Sequence, residues 1–222
     1  MSAESRQTES MSSKILLHRS VIKQMTASMK RRIFGLWETG HELFKSTPQS
    51  FPTSFIEGDI LNTSFLSAIP PFTKDSPPAT TVPSLNSIAS ESLNDLRGHV
   101  SAVYTGYLFH LFPEKQQEQI ARGLAGLLSP EPGSMILGVQ DGRFAKGFLA
   151  PAASDLRMFC HSPESWKELW EGIFGKGCVE VKAELRPAVG GDSFFGMFPQ
   201  NKDPFHNMEW SVTRLDCKEA GL

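Results

Sequence analysis

From Phe55 to its end the chain alternates between two hydrophobic periods, in the order strand, helix, strand, helix, strand, strand. That alternation restricts it to an α/β architecture in which helices cover an open sheet. The clearest pieces are Glu114–Leu128, where Ile120, Leu124, Leu127 and Leu128 recur at helical spacing, and Ser134–Val139, a continuous apolar run of parallel-sheet type. Ser129-Pro-Glu-Pro-Gly133 separates them and stops the helix. Before Phe55 no strand runs into a glycine-rich turn, which is where such sheets usually hold a cofactor. Residues 1–33 contain no glycine.

The other segments follow from local chemistry. Residues 1–13 are Ser/Glu-rich and are expected to be disordered. Residues 14–222 read as one domain. Its first element is a helix over 14–33, with Ile15, Leu16, Val21, Ile22, Met25, Met29 and Ile33 as an apolar stripe among basic positions. Such a helix either packs on the domain with solvated lysines or lies on a membrane surface; the packed reading is preferred because the pattern is common. Residues 34–46 predict a second helix with Phe34, Trp37, Leu43 and Phe44 as core contacts, ended by Pro48 and Pro52. Ser54–Ile60 reads as a short strand closed by a Gly-Asp turn. Residues 67–90 hold five prolines and read as a long loop, a candidate lid over a ligand. Val100–Tyr104 reads as a half-buried strand, Tyr107–Phe112 as a tight aromatic turn, and Pro113 as the opening of the next helix. Residues 140–157 read as a Gly/Ala-rich loop. Met158–Cys160 leads into a helix capped by Ser162 with Pro163 at its first position. Cys178–Leu185 and Met208–Leu215 read as two closing strands.

Bulk properties exclude more than they assign. A net charge of −2 gives no global electrostatic reason to expect nucleic acid. Three cysteines, Cys160, Cys178 and Cys217, lie far apart without metal-like spacing, which predicts a reducing compartment and no disulfide framework. No apolar run approaches membrane-spanning length, so no membrane association and a cytoplasmic location are expected.

Few residues stand out as chemical candidates. Asp59 ends a predicted strand, where ligands bind in open α/β sheets, and it could accept hydrogen bonds from an amine or hydroxyl. An Asp there is equally a turn former or helix cap, and position alone favours that role. His110, between Phe109 and Leu111, is either a base or a packed ring. His161 reads as part of a capping turn, and adjacent Cys160-His161 is not a nucleophile–base arrangement.

Several runs together resemble the class I S-adenosylmethionine-dependent methyltransferases, and most closely the fungal enzymes of meroterpenoid and polyketide pathways. Phe34–Lys45 resembles the family's FW-x-LG-x-x-LF helix, and Phe55–Phe65 its FI-x-GD strand and turn. Val100–Phe112 resembles VSAI…FFHLF, Gln116–Gly138 resembles QQ…LLSPEPGS-x-I-x-G, and Met158–Trp170 resembles MFCHSPESW. The match spans residues 34–186. It implies a Rossmann-like sheet with helices on both faces, here truncated at its N-terminal side. It also implies S-adenosyl-L-methionine as cofactor, a small secondary metabolite methylated at oxygen or carbon as acceptor, and self-association as a homodimer. By the same resemblance Asp59 and Ile60 lie against the adenine, and Tyr104, Thr105 and Gly106 line the sulfonium and the acceptor. His110 is then the candidate base, and no metal is implied. The family's glycine turn and its ribose-binding acid have no counterpart in the sequence. A second reading is therefore a non-catalytic, methyltransferase-like binding partner or remnant. A third, isomerisation or cyclisation in the old pocket, has no positive sequence signal.

Overall fold

The computed structural model describes residues 16–17, 37–47, 49–51, 55–81, 92–149, 158–187 and 206–217. Its centre is a five-stranded sheet of β1 (Leu16–Leu17), β2 (Ala102–Gly106), β3 (Met135–Gly142), β6 (Val179–Pro187) and β7 (His206–Arg214). The order across the sheet is β1-β2-β3-β7-β6. The first three strands run parallel, and β7 enters antiparallel between β3 and β6. A separate hairpin, β4 (Gly147–Leu149) with β5 (Met158–Cys160), occupies part of the expected 140–157 loop. Residues 1–13 and 18–33 lie outside the described residues.

Two helices build the core. In α2 (Glu114–Leu127) Ile120, Leu124 and Leu127 are buried, as their spacing predicts. The helix ends as Leu128 turns extended and bridges Val100. Gly123 lets the chain close on Leu66, whose Cγ would stand 2.8 Å from a Cβ placed there. In α3 (Pro163–Phe174) Ser162 accepts from the Ser165 N–H while the Ser165 hydroxyl accepts from the Ser162 N–H, and Pro163 opens the helix. Trp166 and Trp170 of this helix are fully buried. Their rings meet Phe109 and Trp210 at centroid separations of 4.8 to 6.4 Å, mostly edge to face.

Strand alternation sends Val103, Ile136, Trp210 and Val212 toward that helical layer. On the opposite face Ala102, Tyr104, Met135, Leu137 and Val139 are half-exposed. The outer strand β6 carries Glu180, Lys182, Glu184 and Arg186 as exposed alternate residues, with Lys182–Glu180 and Arg186–Glu209 ion pairs.

Several expectations need correcting. Leu16–Leu17 are a strand pairing with Ala102–Val103 rather than part of a helix, because they meet unpaired backbone groups on β2. The expected strand at 54–60 is not formed over 55–59, since a strand needs a hydrogen-bonded neighbour and none of the described strands lies beside it. Residues 37–44 form helix α1 with Trp37 stacked on Phe55 at 5.1 Å, yet Leu43 and Phe44 are exposed rather than core. Over 67–81 the long loop packs on Gly98 and Gly126, at the amino end of β2. That is the end opposite the one a ligand lid would cover. Finally, Cys178 and Cys217 form a disulfide with their Cα atoms 4.8 Å apart. The β6–β7 pairing brings them together across 39 residues, because Val179 faces Arg214.

Candidate functional site

The carboxyl ends of β2 and β3 are where open α/β sheets bind ligands. Here they carry an unusual density of polar groups. Tyr104, Thr105 and Gly106 end β2; Thr105 is buried and its Oγ1 has no hydrogen-bond partner among the described residues. The Tyr104 ring lies over Gly106, where a Cβ would stand 3.2 Å from its hydroxyl. Gly138 allows β2 and β3 their close approach: a Cβ there would meet Thr105 Oγ1 at 2.8 Å and the Trp210 ring at 2.9 Å. Beside it Gln140 is buried with both amide atoms unpartnered. Unsatisfied polar groups in a native interior are few and call for a cause such as water or a ligand.

The chain leaves β2 through Tyr107, a non-glycine residue at φ +52°, and enters a single 3₁₀ turn, Phe109–Leu111. That turn delivers His110, which is buried against Asp141 of β3. The Asp141 N–H donates to His110 Nδ1 at 3.3 Å, and His110 Nε2 lies 3.5 Å from Asp141 Oδ2. Accepting at Nδ1 leaves the neutral ring its proton at Nε2, facing the carboxylate. Burial lowers the His110 pKa, opposed by the Asp141 charge. Burial raises the Asp141 pKa, opposed by His110. Burial thus holds the ring neutral and makes the carboxylate a better proton acceptor.

The neighbouring thiol and imidazole are quieter. Cys160 is buried, and burial pushes its thiol up to about 12. His161 is buried with Nδ1 2.9 Å from Ser165 Oγ, and burial pulls its pKa down to about 4. It belongs to the α3 cap, as its sequence position suggests. Among the described residues no three His, Cys, Asp or Glu side chains gather as a metal site.

Asp59 and Ile60 sit in a turn rather than at the end of a strand. Asp59 Oδ1 accepts from the Leu61 N–H at 2.9 Å, a local turn, and its other oxygen has no bond to the described residues. Ile60 is 3% exposed, its side chain within the core. The turn is fixed from outside by Gln119 Nε2, which donates to Leu61 O at 2.9 Å. Of the residues named from sequence, the fold brings Tyr104, Thr105, Gly106 and His110 to one end of the sheet. Asp141 and Gln140, which the sequence reading did not single out, lie on the neighbouring strand β3. The signal was present: an acid near the carboxyl end of a buried strand, the criterion that singled out Asp59.

Similarity to known proteins gives this geometry a chemical context. The chain is 31% identical over 132 residues to the O-methyltransferase phiE of a fungal species, covering 60% of this chain. In sequence it is similar to fungal methyltransferases. The Asnovolin E/Chermesin D methyltransferase nvfJ of Aspergillus novofumigatus is 38% identical over 88 residues, and the methyltransferase ausD of Penicillium brasilianum 29% over 89 residues. These alignments cover 38% and 40% of this chain. The chain spans less than half the length of these relatives, at 40%, 30% and 32% respectively. No family model matches it. An S-adenosylmethionine-dependent methyltransferase from Mesorhizobium loti aligns at a TM-score of 0.32 and 11% identity, covering 55% of this chain and 67% of its own. The strand order stands independently of that alignment. No helix among the described residues is long and apolar enough to cross a membrane.

Proposed function

We propose that this chain transfers a methyl group from S-adenosyl-L-methionine to an oxygen of a small-molecule acceptor, at the carboxyl ends of β2 and β3. The observation that carries this reading is the buried His110–Asp141 pair, at the ligand-binding end of a sheet whose sequence relatives are methyltransferases. The donor set at the end of β2 fits the cofactor in chemistry. The unpartnered Thr105 hydroxyl can accept or donate, and the Tyr104 ring offers a face to a cation. Asp59 keeps one oxygen for an amine, whereas Ile60, committed to the core, offers no open aliphatic face.

When bound, the cofactor supplies a methyl group activated by its positive sulfur. The chain's own residues orient the acceptor and handle its proton. In such a transfer the sulfur–methyl bond would break as the C–O bond forms, leaving S-adenosylhomocysteine, and the acceptor's O–H proton would go to the Asp141 carboxylate. His110 Nε2 steadies that carboxylate from its other side. Positioned proton transfer of this sort contributes roughly 10²–10⁴-fold, and alignment for in-line attack supplies the rest. The same reading includes a homodimer, to be checked by sedimentation.

A non-catalytic binding role is the second reading, favoured by the burial of Ile60 and by the lack of a strand over 55–59. Calorimetric titration of the purified chain with S-adenosylmethionine and S-adenosylhomocysteine separates the two. Micromolar binding that Asp59→Ala weakens supports the enzyme. A folded sample that binds neither compound leaves the binding role.

A further inference from the structure

Tyr107 is an anomaly that the methyl-transfer reading does not use. A bulky aromatic residue at φ +52° occupies the left-handed region that glycine enters freely and tyrosine does not. Its N–H donates to Val139 O at 2.7 Å, which fixes that conformation between β2 and β3. The ring meets His110 edge to face with centroids 6.0 Å apart. Tyr107 is 46% exposed, while the side chains of His110 and Asp141 beneath it are 8% and 7% exposed. Strained backbone persists where surrounding structure over-determines it, and it gathers at functional sites. Glycine would relax this turn, so the use of the position lies in the side chain.

We propose that Tyr107 is a gate: its ring covers the His110–Asp141 pair, and an acceptor reaches the pair by displacing it. This rests on the methyl-transfer reading for the acceptor's identity, but the covering itself does not. Tyr107 is thus a positioning residue that controls access, while the proton chemistry belongs to the pair.

The test measures acylation of His110 by diethyl pyrocarbonate in the full chain without cofactor, quantified by peptide mass spectrometry, with His41 as internal reference. Tyr107→Asn, which tolerates the left-handed backbone, removes most of the cover and is expected to raise the His110 rate about threefold. Tyr107→Gly removes the cover and relaxes the backbone, and is expected to raise it tenfold or more, with His41 unchanged. Circular dichroism confirms that each variant is folded, and the Asn variant answers the question if the Gly variant is not. A His110 rate equal to wild type in a folded variant overturns the gate. Failure of the S-adenosylmethionine titration would remove the methyl-transfer reading without changing this result, so the two failures are distinguishable.

Discussion

The two ends of the sheet are built to different specifications. At the amino end, backbone groups are paired across elements: Gly98 N–H to Gly126 O at 3.0 Å, Ser129 N–H to Val100 O at 2.8 Å, and Arg214 N–H to Ser134 O at 2.9 Å. The 67–81 segment packs there, Lys74 reaches Asp216 at 2.6 Å, and Cys178–Cys217 ties β6 to the tail after β7. The buried Arg214 stands 5.3 Å from the Phe174 ring, although its Nε and Nη1 have no hydrogen-bond partner among the described residues. The carboxyl end keeps unpartnered polar atoms on Thr105 and Gln140, a buried titratable pair, and a tyrosine in strained backbone. Tight pairing at one end supplies the stability that lets the other hold groups at a cost. The difference predicts that substitutions at the two ends will separate stability from activity.

The largest expected effect is on activity. Asp141→Asn keeps the side-chain shape but removes the proton acceptor, and should slow methyl transfer by about 10²–10⁴-fold. Its melting temperature should stay equal or rise, because a buried charge has been removed. Loss of stability without loss of activity would break the comparison. Leu127→Ala, at the amino end, should do the reverse. It opens a cavity beneath a fully buried side chain and costs about 2–5 kcal/mol in denaturant unfolding, with turnover per folded molecule unchanged.

An acid titration sharpens the contrast. His161 has a folded pKa of about 4, below its unfolded value. The unfolded chain therefore binds the extra proton first, and stability falls as pH drops from about 6.5 toward 4, by roughly 3 kcal/mol at most. Glu114 and Lys146 near it act in opposite senses. His161→Gln should flatten that slope in pH-dependent unfolding; an unchanged slope would assign it elsewhere. The smallest effect is Ser162→Ala, which removes the side-chain cap of α3 and should cost about 1 kcal/mol in the same measurement.

What the sequence disclosed follows the range of the interactions involved. Pro113, Ser162 and Pro163 announce their helices because capping is settled within one turn, and β3 is legible because a continuous apolar run requires burial on both faces. Strand pairing is decided far along the chain. Ser54–Ile60 has strand composition, yet Leu16–Leu17 take the place beside β2, a choice that local pattern does not contain. Cys178 and Cys217 likewise meet only through the β6–β7 register. At the site, His110 stood out for its residue type. Its partner Asp141 lies 31 positions away in a stretch that reads as loop, and β3 in fact continues through it.

The charged alternation on β6 limits how this sheet could grow. Glu180, Lys182, Glu184 and Arg186 line one margin, so a flat apolar strand laid beside it would meet charge at every second position. Among the described residues the opposite margin is Leu16–Leu17 of β1, which carries no such charge. Resistance to edge-to-edge pairing is therefore written into β6, the outer strand on that side of the sheet order where β7 is its only neighbour.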